Sequence, residues 1–88
     1  MLIPKHTKKF EKDVARCVKR GKPMEELKTV ANQLLSEKPL APKYRDHKLK
    51  GDYVDCRECH IEPDWLLVYR KTKTHIIFEG TGTHSDLF

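Results

Sequence analysis

The chain has no run of about 18 apolar residues, so nothing in it suits a bilayer-spanning helix. Apolar character is also missing from its first twenty residues, MLIPKHTKKFEKDVARCVKR, which are far too charged for the h-region of a secretory leader, so none is expected. Together these absences lead to the expectation of a soluble, cytoplasmic protein with no membrane partner. Cysteine is scarce and odd in number, at three. Without an export signal the expected compartment is reducing, and a disulfide framework is not expected. Internal repeats and low-complexity tracts are absent as well. At 88 residues there is no room for a second domain. A chain this short buries roughly 60 to 65% of its unfolded surface, enough for one modest core, so residues 1–88 are read as a single domain.

Charge is present in quantity and unevenly placed. Residues 1–52 carry 14 Lys/Arg against 7 Asp/Glu, a net +7, whereas residues 53–88 carry 4 against 6, a net −2. The basic half offers a face for phosphates or for an acidic protein partner; a solvated helical surface explains the charge equally well.

Hydrophobic spacing predicts two helices. Thr7 can cap the first, whose apolar residues Phe10, Val14, Cys17 and Val18 recur at helical intervals before Lys19, Arg20 and the stop residue Gly21. The second begins near Pro23 with Glu25 and Glu26 in its first turn, and Met24, Leu27, Val30, Ala31, Leu34 and Leu35 form its apolar stripe. Met1–Ile3 suggests a short edge strand. The stretch Lys38–Gly51, with Pro39 and Pro42 among charges, reads as a long ordered connection. Beyond it, Tyr53–Ile61, Trp65–Lys71 and His75–Thr81 are rich in strand formers and separated by turns, the first being Glu62-Pro63-Asp64. The expected class is α+β, a helical hairpin packed on one face of a small, mostly antiparallel sheet.

Within the first of those strands lies CRECH, residues 56–60, in the C-x-x-C-H order associated with haem c, zinc or redox pairs. Strand alternation sends Cys56 and Cys59 to opposite faces, about 10 Å apart along the chain, so they share neither a ligand nor a disulfide. Cys17 and one of Cys56 and Cys59 are instead expected as small buried hydrophobes. His60 is left at a strand end beside a hairpin, four residues before Asp64. Two more histidines fall on segment ends: His47 in the proline-rich connection, and His84 after the last strand. His6 and His75 lack such neighbours and are read as surface residues.

The runs YRDHKLKG, ECHIEPDWLLVYR and GTGTHSDLF, in this order and over nearly the whole chain, resemble the YafQ-type branch of the RelE/ParE superfamily of bacterial toxins. The resemblance implies a ribosome-dependent endoribonuclease that cuts messenger RNA in the decoding site and is neutralised by a cognate antitoxin. It further implies that His47, His60, Asp64 and His84 are the catalytic cluster, with Trp65 and Phe88 helping to hold the substrate.

The chemistry agrees with that residue set. RNA cleavage by the neighbouring 2′-hydroxyl needs a base, an acid and donors to the charged phosphorane; imidazole, titrating near neutral pH, serves the first two. His84 is assigned as general acid or base, His47 and His60 share proton transfer and phosphate stabilisation, and Asp64 acts as base or tunes an imidazole. No metal or other cofactor is required. Trp65 suits either base stacking or a core anchor, and Phe88 either stacking or an apolar plug. Arg45, Lys48, Lys50, Arg57 and Arg70 are candidates for contacting ribosomal RNA and message. The competing expectation is a superfamily relative without catalysis that acts as a binding module on an antitoxin or another target.

Overall fold

A computed structural model describes residues 1–88. Strand β1 (Ile3–His6) leads into helix α1 (Lys8–Lys19), helix α2 (Met24–Leu35), a two-residue strand β2 (His47–Lys48), the long strands β3 (Arg57–Glu62), β4 (Trp65–Lys71) and β5 (His75–Gly82), and a closing helix α3 (His84–Leu87). The sheet order is β1-β5-β4-β3-β2. All neighbours are antiparallel except β1, which runs parallel to β5.

The α1 boundaries follow from its caps. The Thr7 hydroxyl accepts the Phe10 N–H at 3.0 Å, and Gly21, with φ of 75°, reverses the chain just past the helix. From α1 and α2, Cys17, Leu27, Val30, Leu34 and Leu35 meet Cys59, Ile61, Leu67, Tyr69, Ile76 and Phe78 of the sheet in one core. Val18 departs from its expected place in the stripe. It is 56% exposed, because the face of α1 that approaches β5 carries Asp13 and Cys17 instead.

Several expectations on the sheet are corrected. The edge strand at the start is Ile3–His6, not Met1–Ile3. The third strand begins at Arg57 rather than Tyr53, since its edge partner β2 offers only two residues and Gly51, at φ of 68°, turns the chain into a 3-10 turn over Gly51–Tyr53. The supposed plain connection therefore contains both β2 and a 3-10 turn at Pro42–Tyr44. The β3–β4 turn is Pro63-Asp64, with Glu62 still paired to Trp65 and a bulge at Ile61. Helix α3 was not foreseen. It is closed by a capping box in which the Thr83 hydroxyl accepts the Asp86 N–H and the Asp86 carboxylate accepts the Thr83 N–H.

The helices cover one face of the sheet. The other face, with Glu58, His60, Leu66, Val68 and Arg70 in alternation, is partly roofed by α3 and the 3-10 turn at Tyr53.

Candidate active site

Strand register brings the histidines to one end of the open face. His47 of β2 stands directly across from Glu58 of β3, and His60 follows two residues on, so the three share a face. The imidazole centres of His47 and His60 lie 6.3 Å apart. Each ring uses Nδ1 on a backbone carbonyl, His47 on Arg45 at 2.6 Å and His60 on Pro63 at 3.1 Å. With Nδ1 donating to these carbonyls, each Nε2 is left free of the backbone.

Both Nε2 atoms look toward Glu58, at 3.5 Å from Oε2 for His47 and 3.7 Å from Oε1 for His60. Glu58 is only 3% exposed, and its Oε1 has no hydrogen-bond partner within the chain. An isolated buried carboxylate is costly, so a site that keeps one between two imidazoles is built around its charge. Sequence reading passed over Glu58. The clue was an acid two residues before His60, hence on the same strand face, inside an otherwise half-buried segment.

His60 pairs across β4 Leu66 to Gly82 of β5, which puts His60 and Gly82 two strand spacings, about 10 Å, apart. From this row the chain runs back to Asp64 and forward to His84, so both sit at the same sheet end. Asp64 Oδ1 accepts the backbone N–H of His84 at 3.2 Å, tying α3 to the β3–β4 hairpin. The His84 ring lies 5.6 Å from that of Phe88, and Phe88 meets Tyr53 edge-on at 5.2 Å. The fold thus assembles His47, Glu58 and His60 on one side and Asp64, His84, Phe88 and Tyr53 on the other.

A second carboxylate holds α3 in place. Asp86 takes two hydrogen bonds from the Arg20 guanidinium, at 2.5 and 3.1 Å, and lies 3.7 Å from Arg16 Nε. The Arg20 hydrogen bonds, then those from Thr83, hold the Asp86 carboxyl well below the usual carboxylate range. Arg16 also bridges to buried Asp13, whose other oxygen accepts the Thr81 N–H at 3.2 Å.

Not every expected site residue joins the cluster. Trp65 is 1% exposed and donates its indole N–H to Thr81 Oγ1 at 2.9 Å; it is a core anchor with no face free for a base, which corrects its assignment to stacking. Arg57 shares strand parity with Cys59, so it points to the helix side, where its Nε meets Asp46 at 3.3 Å; it is removed from the cluster's RNA-contacting set. Arg70 is on the open face but pairs with Glu79 at 3.3 Å. Arg45, Lys48 and Lys50 are exposed along the β2 edge and form no ion pair. Phe88 is exposed beside His84. Of the CRECH cysteines, Cys59 is wholly buried in the core, where burial pushes its thiol up to about 12, while Cys56 lines a surface hollow on the other face.

These features define a small α+β protein with two imidazoles grouped around a buried carboxylate at one end of its sheet. The chain belongs to the YafQ family, bacterial toxins of type II toxin–antitoxin systems, whose model matches residues 2–88. It is 42% identical over 80 residues to the mRNA interferase toxin YafQ of Escherichia coli K12, covering 90% of this chain and 87% of that protein. Its fold superposes on YafQ in the crystal structure of the E. coli DinJ–YafQ toxin–antitoxin complex with a TM-score of 0.92 at 39% identity, covering 99% of this chain and 97% of that one. A metal-bound toxin from Helicobacter pylori is similar at 47% identity and a TM-score of 0.94, with both chains fully covered. In this chain His47, Glu58 and His60 approach one another without reaching a geometry that would hold a metal ion. No helix is long and apolar enough to cross a membrane.

Proposed function

We propose that this YafQ-family toxin is an endoribonuclease that cuts messenger RNA in the decoding site of the ribosome. The carrying observation is the His47–Glu58–His60 grouping, with both Nε2 atoms turned from the backbone toward the buried Glu58 carboxylate, and the hydrogen bond by which Asp64 ties the His84 N–H to the β3–β4 hairpin at the same sheet end. The E. coli relatives named mRNA interferase toxins support the choice of substrate.

The reaction needs no external nucleophile. A base removes the 2′-hydroxyl proton, the oxygen attacks phosphorus, and the P–O5′ bond breaks as an acid protonates the leaving 5′ oxygen, giving a 2′,3′-cyclic phosphate and a free 5′-hydroxyl. Imidazole can serve at both ends at neutral pH. His84 is assigned to one proton transfer from the α3 side, and His47 with His60 to the other and to the phosphorane. Asp64, with one oxygen committed to the His84 N–H, serves by holding α3 in register with the hairpin. The exposed cations Arg45, Lys48 and Lys50 border His47 and suit the phosphates of the message and of ribosomal RNA. The basic half of the chain suits an acidic antitoxin segment that folds on binding; the E. coli DinJ–YafQ complex supports a protein antitoxin as partner. The site of action is the cytoplasm.

The test is to express the wild type and His84→Ala in bacteria and map the 5′ ends of cellular message. Growth arrest with in-frame cuts is expected for the wild type only, since a general acid or base contributes about 10²- to 10⁴-fold in rate. Full arrest by His84→Ala without cuts would replace the nuclease reading with that of a binding module.

A further inference from the structure

On the open sheet face, one row away from the imidazoles, lies a hollow of about 320 Å³ lined in part by Tyr53 and Phe88. Tyr53 is 42% and Phe88 52% exposed, and they meet edge-on with centres 5.2 Å apart. Large aromatic side chains left in solvent within a chain that buries its tryptophan call for an occupant. Val68 and Leu87 give the hollow an apolar floor and side.

Its charges decide what that occupant is. Both cations in the lining are already satisfied, Lys9 by Asp13 at 2.8 Å and Arg70 by Glu79 at 3.3 Å. Asp52 and Asp55 also line it and form no ion pair, so the hollow holds three carboxylates against two cations. A phosphate would be repelled there. An uncharged, flat, polarisable group would not, and RNA supplies one next to every phosphate in the form of its base.

We infer that the Tyr53–Phe88 hollow is a nucleobase slot, in which the base flanking the scissile phosphate stacks face-on against Tyr53, whose ring is held by its perpendicular edge contact with Phe88, while the phosphate lies toward His84. The inference rests on the nuclease reading above and adds Tyr53 as the residue that seats the base. It follows from the geometry that Phe88, 5.6 Å from the His84 imidazole, links the slot to the reacting atoms. Seating one base fixes the register of the backbone against the acid–base groups.

The experiment compares the wild type, Tyr53→Ala and Tyr53→Phe in a reconstituted ribosome assay with a defined message, reading KM and kcat at each codon along with the melting temperature. Tyr53 is exposed, so neither variant opens the core. For Tyr53→Ala, kcat/KM is expected to fall about 5- to 140-fold, the equivalent of losing one stacked base, with the loss mainly in KM and with a flatter base preference at the cut. Tyr53→Phe, which keeps the ring, is expected to recover most of that loss. Unchanged kinetics and unchanged base preference in Tyr53→Ala would overturn the slot while leaving the nuclease intact. Equal losses in both variants would also overturn it, by assigning the effect to the hydroxyl. A wild type that does not cut the message at all would sink the nuclease reading and the slot with it.

Discussion

Gly82→Ala tests whether the closing helix is held by the geometry described, and Gly21→Ala is its control. Gly21 has φ of 75° with nothing within 4 Å of the position a Cβ would take. Alanine there costs only the left-handed backbone, about 1 to 2 kcal/mol. Gly82 has φ of 152°, and a Cβ would stand 2.7 Å from Asp86 Oδ2, 2.9 Å from Asp86 Cβ and 3.1 Å from an Arg16 nitrogen. The backbone strain is about 1 to 3 kcal/mol. Relieving the clash means displacing Asp86, which undoes the capping box for about 0.5 to 2 kcal/mol more. The sum is about 1.5 to 5 kcal/mol, against a total of about 5 to 15 for a domain of ordinary stability. At about 4 to 8 °C per kcal/mol for a domain of this size, Gly21→Ala lowers the melting temperature by about 4 to 16 °C and Gly82→Ala by at least about 6 °C and up to outright unfolding. If α3 instead swings free and spares the sheet, the melting temperature holds, but amide exchange at Asp86 and Leu87 accelerates and message cleavage is lost with His84 displaced. Calorimetry, hydrogen exchange and the cleavage assay together cover both routes. A Gly82→Ala protein that melts, exchanges and cleaves like the wild type would refute the account of α3.

Two further predictions concern residues on which the sequence was ambiguous. Trp65 is the single tryptophan, so its fluorescence reports one site: blue-shifted emission that resists iodide and does not respond to RNA is expected, whereas a quenchable, RNA-responsive signal would restore it as a stacking platform. Its truncation to alanine should cost about 3 to 5 kcal/mol, enough to unfold a marginal domain. Cys59, buried and with its thiol pushed up to about 12, has almost no thiolate at neutral pH; in the native protein it should stay unmodified by iodoacetamide while Cys56 reacts slowly, and all three thiols should react in denaturant. Rapid native labelling of Cys59, located by mass spectrometry, would contradict its place in the core.

What the sequence determined by itself was whatever rests on local pattern. The stripe Leu27, Val30, Leu34, Leu35 specifies a core-facing helix because 3.6-residue spacing leaves no other way to bury it, and the Thr7 and Gly21 signals delimit α1 to within a residue. WLLVY reads as a central strand because both of its faces are apolar, and β4 spans Trp65–Lys71 as expected. The motifs in their order carried the family. Other features were settled only by tertiary structure, since they depend on partners distant in sequence. A two-residue strand such as β2 exists only because β3 is there to pair with it, and its brevity in turn made β3 begin at Arg57 and left Tyr53 as a ring in solvent. Strand parity, fixed by the core packing of Cys59, divided Arg57 from His60. Trp65 went to the core because Thr81, sixteen residues on, offered its hydroxyl to the indole. Glu58 gained its meaning from His47 across the β2–β3 pair, and α3 from Arg20 more than sixty residues before Asp86. A carboxylate, a ring or a four-residue helix has no preferred place until a neighbour supplies the charge or the surface that holds it.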